Sequence, residues 1–317
     1  MSSHSNSRRP AKIKLPVIHD AASEASGRGQ TAYVRLSASR LVALLVATLA
    51  AALGIAIGSF DFSGLVVLLA FVAAALAELA LIRFQPERDW YAGRAVAEST
   101  KTLAWRFAVQ GEPFGPTLTE QEAEALLRTR VSEVLQRGKD RINVGPGDAV
   151  LTESMLDLRR SPFSERRDAY LEQRTEEQRA WYSSNARKNE VRATAWRYAL
   201  LLGELLAIVA AALSLGRDEP FDFAGIVAAF VAGGAAWLAI KQHSQLTSAY
   251  RVAAGELAVQ ADVLRGVSAE DWPQAVADAE EAISREHTMW LATRGEEPLP
   301  PGQVPGSGVA RSFVVLA

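Results

Sequence analysis

Residues 41–57 read LVALLVATLAAALGIAI, and after a six-residue link residues 64–82 read GLVVLLAFVAAALAELALI. Half a chain later the same design returns, as ALLLGELLAIVAAALSL at 199–215 and AGIVAAFVAGGAAWLAI at 224–240. As helices these runs rise roughly 26–29 Å, close to the ~30 Å hydrocarbon core of a bilayer. None carries the polar stripe of an ordinary surface helix. The alternative, four buried helices of a soluble bundle, asks for a core that soluble proteins rarely build. A cleaved leader fits the first run poorly, since a second apolar run follows almost at once. The short links at 58–63 and 216–223 make each pair an antiparallel hairpin. The expected fold is an all-α integral membrane protein with spans at 41–57, 63–82, 198–215 and 223–240.

Charge placement orients these hairpins. Lys and Arg number seven in residues 1–40, twenty in 83–198 and six beyond 240, while the two links hold only Arg217. The positive-inside rule then puts both termini and the long middle segment in the cytosol. Over the whole chain, 34 basic residues face 36 acidic ones, which argues against a nucleic-acid binder. With no cysteine, thiolate catalysis, disulfides and Cys-ligated zinc are excluded. The four histidines (His4, His19, His243, His287) are too far apart in sequence for a local metal cluster.

The chain reads as a duplicated unit. FDFSG at 60–64 and FDFAG at 221–225 each precede the second helix of a hairpin, with Asp as N-cap and aromatic rings suited to the membrane interface. Beyond each hairpin lies a helix with a narrow apolar seam: Val96, Thr100, Leu103 and Phe107 in one, Tyr250, Ala254, Leu257, Ala261 and Leu264 in the other. Capping boxes are expected at Thr117 with Glu120 and at Ser268 with Asp271, and a break at 143–147. A charged helix with Tyr170, Trp181 and Tyr182 runs from Pro162 towards the third span. The expected division is a basic tail at 1–35, a first unit at 36–160, a second at 161–295 and a tail at 296–317. Both tails are expected to be disordered on composition.

Two intramembrane acids stand out, Glu78 and Glu204. A carboxylate at a helix centre costs about 2.5–3.5 kcal/mol on insertion scales, so such residues face protein or water. Three roles stay open for them: ion pairs with Arg83, Arg197 or Lys241, simple snorkelling, or a ring of carboxylates at the cytosolic mouth of a pore. Gly54 and Gly58 form a GxxxG step, and Gly233 and Gly234 lie in the fourth span; all four are helix-packing candidates. Trp90, Tyr91, Trp105 and Trp290 suit interface anchoring and helix packing better than stacking on a nucleotide base. Arg159 with Arg160 and Arg166 with Arg167 could meet phosphate, but nearby acids favour a solvated mixed-charge face. Glu286 and His287 lack an orienting partner, and no phosphate-cradling loop is present, so neither an enzyme nor a cofactor is expected.

The stretch WYAGRAVAESTKTLAWRF at 90–107, leading to Glu112, Pro113 and Phe114, resembles the post-hairpin helix of the SLATT family. These are two-transmembrane effectors found beside bacterial nucleotide-signalling genes. YLEQRTEEQRAWY at 170–182, followed by Ala186 and Asn189, resembles the lead-in helix of a second such unit, and EHTMWL at 286–291 its closing helix. The resemblance implies a tandem effector in the bacterial inner membrane. Such an effector would form a homo-oligomer and perforate or depolarise the bilayer when an upstream nucleotide signal or sensor protein triggers it. Two other functions compete: a non-channel anchor that recruits a cytosolic partner, and a small transporter. No nucleotide-binding module is recognisable, so a ligand would bind between cytosolic helices or act through a partner.

Overall fold

The computed structural model describes residues 12–138, 150–215 and 222–292, apart from the side chains of 137 and 285–292. The break expected at 143–147, the residue Phe221, the side chains of Glu286, His287 and Trp290, and the tail 296–317 lie outside the described residues. The first unit comprises α1 (Val17–Leu53), a two-residue β-ladder of β1 (Ala56–Ile57) and β2 (Phe60–Asp61), α2 (Phe62–Phe84), α3 (Pro86–Ala108) and α4 (Glu120–Gly138). The short α5 (Glu153–Arg160) and α6 (Phe163–Ala169) follow. A π-helical stretch, Tyr170–Glu176, runs directly into α7 (Glu177–Ser214). The second hairpin closes with α8 (Phe223–Lys241), followed by α9 (His243–Gly266) and α10 (Trp272–Ala292). Four of these helices are long and apolar enough to cross a membrane.

Each hairpin is built the same way. Asp61 accepts the Gly64 amide at 2.7 Å and Asp222 accepts that of Gly225 at 2.8 Å, so both return helices start on the expected Asp cap. Both return helices end on a left-handed glutamine, Gln85 at φ 47° and Gln242 at φ 50°, which turns the chain into α3 or α9. From Asp61 to Gln85 is 24 residues and from Asp222 to Gln242 is 20. The second return helix is therefore shorter by four residues, about one turn or 6 Å. Because α8 packs on both α7 and α1, the two hairpins stand side by side.

The N-terminal expectation needs correcting. Residues 17–35 are not a disordered tail: α1 is helical from Val17 and buries Ile18, Ala22, Ala25, Ser26 and Gly29. Those residues recur at four-three-one-three spacing, one face of a helix, and that face packs on α3. Small side chains permit the contact. A Cβ on Gly29 would lie 2.5 Å from the Trp90 amide, and one on Gly93 would lie 2.7 Å from that of Ser26. The Ser26 hydroxyl also donates to the Trp90 carbonyl at 2.9 Å. The first span is shorter than expected as well. Its helix stops at Leu53, and residues to Ile57 belong to the turn.

Away from the hairpins, both units contribute to one hydrophobic core. It joins Ile18 and Ala22 of α1, Val96, Trp105 and Phe107 of α3, and Leu127 and Val131 of α4 to Tyr170, Leu264, Trp272 and Val276 of the second half. Helix α10 is tied back to the end of α3: the Trp272 indole donates to the Val109 carbonyl at 2.9 Å and Arg106 donates to that of Ala277 at 2.8 Å. The box Ser268–Asp271 caps α10 as expected. Ahead of α4 the box is shifted by two residues, to Thr119 and Glu122, because a helix that begins at Glu120 has Thr119, not Thr117, at its N-cap.

Candidate functional site

The apolar hairpins place the two acids in different settings. Glu78 of α2 pairs with Arg40 of α1 at 2.6 Å, not with Arg83, Arg197 or Lys241. Antiparallel helices bring these two residues to the same level of the hairpin. The face of α1 that carries Arg40 also buries Ala47 and Ala50, seven and ten residues on, while α2 buries Ala70, Ala74 and Ala77. Glu204 of α7 is exposed, and no described side chain pairs with it. Its neighbour Gly203 faces α8, where an added Cβ would lie 2.6 Å from Val231. Successive helical residues point about 100° apart, so Glu204 is turned away from that contact.

The four candidate glycines divide. Gly54 and Gly58 are not a helix-packing step: both have positive φ, at 57° and 63°, and a Cβ on either would meet nothing within 4 Å. Gly54 caps α1 and Gly58 lies in the turn, where left-handed backbone is what glycine supplies. A Cβ on Gly233 would lie 3.2 Å from Leu45 of α1, and one on Gly234 would lie 3.0 and 3.4 Å from Leu200 and Trp196 of α7. These two glycines sit on the seams between α8 and its two neighbours. Gly203 does the same work from the opposite helix, and the sequence reading passed over it.

The polar body holds an ion pair that sequence reasoning did not single out. Arg174, on the π-helical stretch, donates twice to Glu280 of α10, each at 2.7 Å, and both side chains are fully buried. Tyr170 donates to the same carboxylate at 2.9 Å and Thr102 of α3 at 2.8 Å. Burial pushes the Glu280 carboxyl up, but the charge and hydrogen bonds of Arg174 outweigh it and hold the group below its ordinary range. The signal available was the four-residue spacing of Arg174 from Tyr170 in a lead-in helix, with no hint of its partner 106 residues away.

The remaining candidates are engaged in packing. Trp90 and Tyr91 are buried and stacked at 5.1 Å, and Trp105 lies edge-on to Tyr170 at 5.8 Å. Arg159 is buried and donates to the carbonyls of Phe107 and Phe114 at 2.9 and 2.8 Å. Arg160 grips Glu120 with two bonds, Arg166 donates to the Ser161 carbonyl, and Arg167 contacts Asp168. None of the four is presented as a bare phosphate cradle. In the second unit, His243 bonds Asn189 at 2.7 Å in a buried contact between α9 and α7. Burial, then Arg192 and Lys241, hold its ring below the usual histidine range.

Comparison with known protein families gives two matches. Residues 16–167 match the family model described as SMODS and SLOG-associating 2TM effector domain 3, and residues 170–290 match domain 1 of the same series. The boundary at 167–170 falls at the junction of α6 and the π-helical stretch. The first match begins where α1 begins, well before residue 36. No curated protein and no solved structure matches the chain.

Proposed function

Because the chain belongs to the SLATT family and carries two of its two-transmembrane units in tandem, we propose that it is a non-catalytic membrane effector. In this reading it serves a nucleotide-signalling or antiphage defence system, oligomerises, and permeabilises the bacterial inner membrane. Its termini and polar body lie in the cytosol, on the side that the arginine distribution favours.

Glu204 carries this reading. It is an exposed acid on a membrane-capable helix with no described partner, whereas Glu78 is neutralised within its own hairpin. Left against lipid, such a carboxylate costs about 2.5–3.5 kcal/mol. A second copy, or water held between copies, removes that cost, and carboxylates repeated around a pore favour cations.

The test is flux through the purified full chain in liposomes, together with membrane potential in cells that overproduce it. Cation-selective leakage is expected, with Glu204→Gln inserting normally but losing selectivity and toxicity. Sealed vesicles and an intact potential at high expression would contradict the proposal and leave an anchor for a cytosolic partner as the better account.

A further inference from the structure

The polar body contains a cavity of about 590 Å³ on the seam between the two units. That volume lies within the 300–1,000 Å³ common to small-molecule sites. One wall is the arm ahead of α1 with the first turns of that helix, the second is α3, and the third is the π-helical stretch with the start of α7. The arm is fixed in place: the Ile13 amide donates to Gln173 at 3.0 Å and the Lys14 amide to Ser154 at 2.8 Å.

Beside apolar, Ser, Gln and His side chains, the lining holds charged groups of both signs and indole rings. Lys12, Arg94 and Lys101 bring positive charge, Trp105 and Trp181 bring indole rings, and Glu98 and Glu177 bring carboxylates. Lys101 donates to Gln178 at 3.1 Å. Burial, then repulsion from Arg174, holds its ammonium below the ordinary lysine range despite the nearby acids. An incoming anion would relieve that deficit. Trp181 stays 45% exposed while lining the cavity. Inorganic phosphate would engage only the cations, of which Lys12 already lies 3.8 Å from Glu177. A nucleotide uses all three groups, since bases stack on aromatic rings, phosphates take cations, and sugar hydroxyls take carboxylates.

We propose that this cavity is a nucleotide site in which Trp181 receives the base, Lys101 and Arg94 the phosphate, and Glu98 a sugar hydroxyl. The proposal deepens the effector reading, because the occupant would touch both α1 and α7, the helices that run from the body into the two hairpins. Binding is nevertheless measured apart from conduction, so either claim can fail alone.

The experiment is equilibrium dialysis and tryptophan quenching on the full chain in nanodiscs. The probes are ATP, GTP, cyclic di-AMP and cyclic di-GMP, with tripolyphosphate as the base-free competitor. At least one nucleotide should saturate below about 1 mM, and Lys101→Met and Trp181→Leu should each weaken it by about tenfold or more. Arg251→Gln, at a residue that pairs with Glu190 and is not part of the cavity lining, should change nothing. If no probe saturates by about 1 mM, the proposal is overturned. The same follows if tripolyphosphate binds as tightly as any nucleotide and Trp181→Leu has no effect.

Discussion

Glu78 of the first unit is answered by Arg40 inside its own hairpin, whereas Glu204 of the second stands exposed with no described partner. The same contrast runs through the helices that lead into the body. In the first unit α1 and α3 meet backbone to backbone at Gly29 and Gly93, with Ser26 bonded to Trp90. In the second, α7 and α9 meet through larger and more polar groups: Trp181 edge-on to Tyr182 and Tyr250, those two tyrosines tilted together, and Asn189 bonded to His243. A duplicated plan has thus been filled in two ways. The first copy satisfies its charge within the hairpin, and the second leaves one without a described partner.

The comparison presupposes that both hairpins stand on one shared body, and the largest expected effect tests this. Glu280→Gln leaves the Arg174 guanidinium buried without its counter-charge, which should destabilise the body by about 3–5 kcal/mol in chemical denaturation. The double variant Arg174→Met with Glu280→Leu should recover much of that loss. Two separate unfolding transitions, with only the second unit affected, would break the idea of a common core.

Next in size come the acids, where the two units should respond with opposite signs. Arg40→Gln strands Glu78 in the hairpin and should hinder insertion or stability by about 2–3 kcal/mol, within the cost of an unpaired intramembrane acid. Glu204→Gln should ease insertion of the single chain. Equal effects in a glycosylation-based insertion assay would erase the distinction. Smaller again is the cost of crowding the glycine crossing. Gly93→Ala places a Cβ 2.7 Å from the Ser26 amide and should lower stability by about 1–3 kcal/mol. Ala193→Ser, at a buried position of α7, should cost less in the same denaturation measurement.

The smallest effect is a pH dependence confined to the second unit. The folded state holds His243 below its ordinary pKa of about 6.5, so between the lowered folded value and that ordinary one the unfolded chain binds more protons. Stability should therefore fall on acidification, with a melting temperature a few degrees lower at about pH 5.5 than at about pH 7.5. His243→Gln should flatten that part of the profile.

Hydropathy is a local property, so the four spans and both Asp caps were legible in the sequence. The seams at Val96, Thr100 and Phe107 and at Leu257, Ala261 and Leu264 were legible for the same reason, as these positions are buried. What was missed depends on neighbours. The helix at 17–35 uses alanine, serine and glycine to bury a face, and composition alone reads those residues as disorder. Arg40 lies just outside the apolar run that starts at Leu41, so hydropathy does not mark it, yet the turn at 54–61 lies at comparable distances from residues 40 and 78. The left-handed corners at Gln85 and Gln242 carry no residue signature, since glutamine has no preference for that conformation. Arg174 and Glu280 meet only through the tertiary fold.

The claim that the second hairpin is completed by another copy is tested most directly by cysteine crosslinking. The chain has no cysteine, so Glu204→Cys introduces a single thiol. Leu68→Cys, on an exposed position of α2, provides the lipid-facing comparison. In oxidised native membranes the account predicts a covalent dimer at position 204 and little or none at 68. Monomer at 204, or equal crosslinking at both positions, would contradict it.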